Sequence, residues 1–180
     1  LDNCTFSRFD AHKGVANATI RNSTLGHMGI NAIGSGTLSV ENTTIQGRSL
    51  INLRSDYGST WQGEIFIRNC VFVPAGGRST SAALISGFYS GQHDFGYTCY
   101  MPERITIENL HVDDSNHPED YQGPAIFTNF NPQMFDDTYQ EKFPYVITRK
   151  VILRNVSTTS GKALRLSDNM FMFKDVKVDW

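Results

Sequence analysis

Four side chains in the first third of the chain have the chemistry needed to grip or cut a polymer: Asp10, His12, Arg54 and Asp56. Asp10 and His12 stand two apart, so on an extended strand both project from one face. Hydrolysis of a glycosidic bond needs two flanking carboxylates, and Asp10 with Asp56 supplies such a pair. Elimination instead needs a base that takes a proton beside a uronate carboxylate held by cations. His12 or Lys13, with Arg54, fills those roles.

Sugars have apolar faces and many hydroxyls, so an aromatic ring beside Arg and Asp suits them. Segment 54–63 combines Arg54 and Asp56 with Tyr57 and Trp61, although both rings could equally cover the core. Segment 87–102 is dense in aromatics and holds His93 and Asp94, as a groove wall or as a loop folded on itself. Segment 113–150 carries Asp113, Asp114, His117, Glu119, Asp120, Asp136 and Asp137. No EF-hand spacing is present, so solvated loop charge is the first reading, with calcium the one cofactor left open.

A repeat is what brings such distant residues together. An apolar-x-apolar-charged-Asn motif occurs at 18–22, 38–42, 65–69, 105–109 and 151–155. A truncated copy opens the chain at Leu1-Asp2-Asn3, and a variant, Phe171-Met172-Phe173-Lys174-Asp175, closes it. The shortest spacing is near 20 residues, with longer intervals where loops are inserted. Alternation within each copy has period 2, a strand signal, and helical repeats need a longer unit. Arg54 and Asp56 then fall two turns of the coil from Asp10, roughly 10 Å along the stack.

Stacking the copies gives an inward column of Leu1, Ile20, Val40, Ile67, Ile107, Leu153 and Phe173. The outward column reads Asp2, Arg21, Glu41, Arg68, Glu108, Arg154 and Lys174, its sign alternating at every step but the last. Opposite charges on neighbouring strands attract, which sets register more than it adds stability. The Asn column marks a tight turn that needs a left-handed backbone, with the amides bonded to one another in an internal ladder. Its Asn-x-Ser/Thr sequons are then by-products of the repeat. A second strand follows each turn and presents a polar column of His12, Asn31, Asn52, Ser86, Thr128 and Arg165. Such a strip suits an extended polymer, and a solvent-facing column would also be polar.

With its repeats and Asn ladder, the chain resembles the right-handed parallel β-helices of the pectin-lyase-like superfamily, including bacteriophage tailspikes and appendages. The resemblance covers the whole chain. It implies an all-β right-handed parallel β-helix (solenoid) of about seven rungs with three long loop insertions, forming a single segment over 1–180. FDAHKG at 9–14 and DYGSTW at 56–61 resemble segments of β-helix proteins from Gram-positive bacteria and their phages. The partner this implies is a polysaccharide, bound and in an enzyme cleaved, with an extracellular or virion-surface location. A non-catalytic structural or adhesive module is the rival.

Composition narrows the rest. A net charge of −2 without a dense basic patch argues against nucleic acid. No apolar run is long enough to span a bilayer. Cys4, Cys70 and Cys99 fit no metal spacing. Cys4 and Cys70 hold equivalent positions about 14 Å apart along the stack, too far for a disulfide. Unpaired strand edges at both ends would invite further pairing, so flanking parts of a longer chain or a homotrimer are expected.

Overall fold

The computed structural model describes residues 1–58, 60–74, 82–89, 93–128, 130 and 141–180. Over these residues the chain is nearly all β, with twelve strands in one sheet and two in another. Every strand pairing among the described residues is parallel.

The large sheet follows three tracks. In the first, the motif copies pair in the expected register: Ile20 with Val40, Val40 with Ile67, Ile67 with Ile107, and Ile107 with Leu153. These five side chains are buried, as alternation requires of one face. The second track follows the Asn turn and pairs Thr5, Thr24, Thr44 and Val71 in sequence. The third pairs Ile30 with Ile51, Ile51 with Ile85, and Ile85 with Phe127.

Between the first two tracks each Asn turns the chain. Asn3, Asn22, Asn42, Asn69, Asn109 and Asn155 all have φ between 47° and 54°. Asn109 donates to Asn69 at 2.8 Å, and Asn155 to Asn109 at 2.9 Å. The ladder is nevertheless exposed, which corrects the expectation of an internal one. A left-handed residue between an inward apolar residue and the next inward position places its side chain on the outside of the corner. The inside is filled by the following residue: Ser23 and Thr43 return their hydroxyls, and Cys70 its thiol, to the carbonyl two residues back.

The corner before the motif strand has its own column, Asn17, Gly36 and Gly63, all at positive φ. A Cβ on Gly63 would lie 2.1 Å from the Gly36 carbonyl oxygen, so the backbones pass too closely for any side chain.

The closing copy is a correction. Residues 171–175 form turns, and Lys177-Val178-Asp179 pairs instead with Lys150-Val151-Ile152. Met172 and Phe173 are both buried, which neighbours on a strand facing opposite sides of a two-faced sheet would not be. Phe173 fills the interior by stacking on Phe127, with centroids 4.5 Å apart. The like-charge step from Arg154 to Lys174 therefore does not arise. Arg154 instead meets Asp179 at 3.2 Å, continuing the alternation seen in Asp2–Arg21 and Arg68–Glu108.

Candidate functional site

The third track carries the polar strip, in a register that differs from expectation. Asp10, not His12, pairs with Asn31, because Phe9-Asp10-Ala11 aligns with Ile30-Asn31-Ala32. At the other end Arg165 pairs with Ala125 rather than standing beside Thr128. The slip at Asp10 is two residues, which keeps each side chain on its face, so alternation alone could not detect it. The slip at Arg165 is three, which reverses the faces. The observed column runs Asp10, Asn31, Asn52 and Ser86. Asn52 donates to Asn31 Oδ1 at 3.0 Å, and the Ser86 hydroxyl donates to Asn52 Oδ1 at 3.0 Å.

Asn31, Asn52 and Ser86 of this column line an open cleft of about 520 Å³. Its walls include Arg8, His27, Met28 and Arg48, none of which stood out as site residues in the sequence. His27 and Arg48 each lie three residues ahead of paired Ile30 and Ile51, so aligning the turns as well as the strands would have exposed them. Arg48 has no ion pair among the described residues, which leaves its charge available to the cleft.

At the Asp10 end the structure brings Asp10, His12, Arg54 and Asp56 together. Arg54 extends its strand by donating its N–H to the Ala32 carbonyl at 2.9 Å. Its Nε donates to Asp56 Oδ2 at 2.7 Å, and its Nη1 reaches Asp10 Oδ2 at 3.4 Å. The Asp56 hydrogen bond, then the charges of Asp56 and Asp10, raise the Arg54 guanidinium above its ordinary pKa against the opposing effect of burial. Arg8 also pairs with Asp10. His12 Nε2 lies 4.0 Å from Asp56 Oδ2, and the ring is exposed. Both carboxylates are engaged by arginines, while His12 is held by none. The Lys13 side chain lies outside the described residues, as do Asp136 and Asp137.

The remaining candidates divide. Trp61 is buried, with its indole N–H donating to the Gly36 carbonyl at 3.1 Å, so it cannot offer a face to a sugar. Asp94 is also buried, and its Oδ1 accepts the Gly96 N–H at 3.3 Å. Both were expected to bind substrate, and both hold backbone instead. His93 is exposed, and its carbonyl accepts the Tyr57 N–H at 2.7 Å. Tyr57 is exposed and stacks on Phe95, with centroids 5.3 Å apart and planes 26° apart. Tyr57 and Phe95 have φ of 59° and 51°, a left-handed geometry that costs a side chain about 1–2 kcal/mol. The ring contact offsets part of this, at about 0.5–1.5 kcal/mol.

In the acidic segment, burial would raise Asp114. Hydrogen bonds from the Ser160 side chain, the Ser160 N–H and the Tyr121 hydroxyl hold it below its ordinary value instead. Asp113 turns to Ser115. Among the described residues no three His, Cys, Asp or Glu side chains converge as a metal site would need. No helix among them is long and apolar enough to cross a membrane.

Compared with protein-family models, curated proteins and solved structures, the chain gives no match.

Proposed function

We propose that the chain is a right-handed parallel β-helix of about seven rungs that holds an extended polysaccharide of a bacterial envelope or extracellular matrix. Three parallel tracks with a shortest spacing near 20 residues support the solenoid. The observation that carries the function is the Asn31–Asn52–Ser86 ladder flooring an open cleft. Strands about 4.8 Å apart present one polar group per step, a repeat comparable to one pyranose residue. Arg48 and His27 on the wall suit acidic sugars. The protein would then act outside the cell or on a virion surface.

Cleavage is the second reading, favoured by the convergence of His12, Arg54, Asp10 and Asp56 beside that cleft. Arginines occupy both carboxylates, so His12 is the group whose ring stands open to act as the base. In elimination, His12 takes the proton next to a uronate carboxylate. The carbon–carbon double bond forms as the glycosidic carbon–oxygen bond breaks, and the departing oxygen gains a proton from solvent.

A depolymerisation and retention screen over bacterial envelope and plant polysaccharides tests both readings, using the parent with Asn52→Ala and His12→Ala. Retention that weakens in Asn52→Ala supports the cleft. Unsaturated products lost in His12→Ala establish elimination. Retention without cleavage makes the chain an adhesive module, and a folded parent that retains no glycan rejects the polysaccharide reading.

A further inference from the structure

We infer that the stacked Tyr57–Phe95 pair is a subsite for the apolar face of a pyranose ring, set beside the Asp10–Arg54–Asp56–His12 group. This rests on the polysaccharide reading above.

Among the described residues nine non-glycine positions have positive φ; seven are Asn, and the other two are Tyr57 and Phe95. Asn tolerates that backbone because its short amide bonds locally, whereas an aromatic ring gains nothing from it. These two rings are also 55% and 63% exposed, so burial does not explain why they stand there. Phe95 occupies the first central position of a tight turn in which the Tyr97 N–H reaches the Asp94 carbonyl at 2.9 Å. With Gly96 also at positive φ, this is the mirror-image turn that Asn and Gly ordinarily fill. Strain at exposed positions, offset only in part by the ring contact, is a mark of functional positions.

The backbone beneath the rings is rigidly built. The Tyr57 N–H bonds the His93 carbonyl, joining the two turns. Gly58 packs so closely on the second loop that a Cβ there would lie 2.4 Å from the Tyr97 Cβ. Asp94, itself buried, accepts the Gly96 N–H and so ties down the turn. The rings are therefore presented at a set position rather than on a free loop.

The neighbouring chemistry selects the occupant. Asp56 precedes Tyr57 in the same turn and receives Arg54, whose guanidinium also reaches Asp10. A pyranose has C–H groups on its faces and hydroxyls at its rim, matching a ring plane bordered by carboxylates and a guanidinium. A second copy of this chain is the competing occupant.

The test measures retention of the parent and Phe95→Asn on immobilised bacterial-envelope and plant polysaccharides, alongside thermal midpoint and sedimentation. Asn suits the turn, so the variant is expected to keep or raise its midpoint while retention weakens at least tenfold. Unchanged retention overturns the subsite and leaves the cleft reading standing. A lowered midpoint makes Phe95 structural and overturns it too. Self-association of the parent that Phe95→Asn abolishes assigns the rings to a second copy. A parent that retains no glycan overturns both this subsite and the polysaccharide reading.

Discussion

The side-chain amide of Asn69 donates to Asn42 at 3.3 Å, although 27 residues of chain separate them. Asn69 in turn accepts from Asn109, 40 residues on. Insertions of quite different length leave this contact intact because the strands on either side, not the loops, determine the spacing.

Asn69 therefore serves both backbone and ladder, and its variants should separate the two. Asn69→Ala is expected to lose about 2 kcal/mol, roughly half from left-handed geometry and half from two exposed hydrogen bonds. Asn69→Gly keeps the backbone freedom and should lose only about 1 kcal/mol. Urea unfolding ranks them, and a glycine variant no better than alanine would show that the backbone does not matter here.

Trp61 belongs to the interior. With Trp180 replaced by Phe to remove the exposed indole, Trp61 fluorescence should resist acrylamide and be indifferent to any retained glycan. Trp61→Ala is expected to cost about 3–5 kcal/mol through the cavity it leaves. Ready quenching in the folded protein would contradict the burial.

Asp114 links stability to acid. Its folded pKa lies below its ordinary value of 3.8, so its contribution is fully present above that value and is lost as pH falls through the lower one. Asp114→Asn should flatten that acid limb in pH-dependent unfolding. Asp114→Ala, which strips partners from Ser160 and Tyr121, should cost about 2–4 kcal/mol at neutral pH.

Burial pushes the Cys70 thiol up to about 11 and the Cys99 thiol up to about 12. At pH 8 roughly one molecule in a thousand carries a Cys70 thiolate, and fewer a Cys99 thiolate. A thiol reagent should therefore find both unreactive until the protein unfolds, with the less buried Cys4 reacting first. Prompt labelling of more than one thiol in native protein would refute this.

Much of the architecture was legible because its signals are local. An Asn at each turn announces the left-handed corner, alternation announces the strands, and sign-alternating charges announce which copies are neighbours. The same local signals failed where they are degenerate. A two-residue slip keeps every side chain on its face, so Asp10 stands in the strip where His12 was expected. Residues 171–175 imitate the motif in letters while Phe173 follows the interior onto Phe127.

By itself, the sequence determined the parallel strand repeat and its register in the motif track, because period and spacing are properties of the chain. Only the tertiary structure decided that the Asn ladder faces outward, that Trp61 and Asp94 are buried, that Arg8 and Arg48 border a cleft, and that Tyr57 meets Phe95. Each of these depends on which way a corner or loop turns relative to elements distant in sequence, and composition carries no record of that direction.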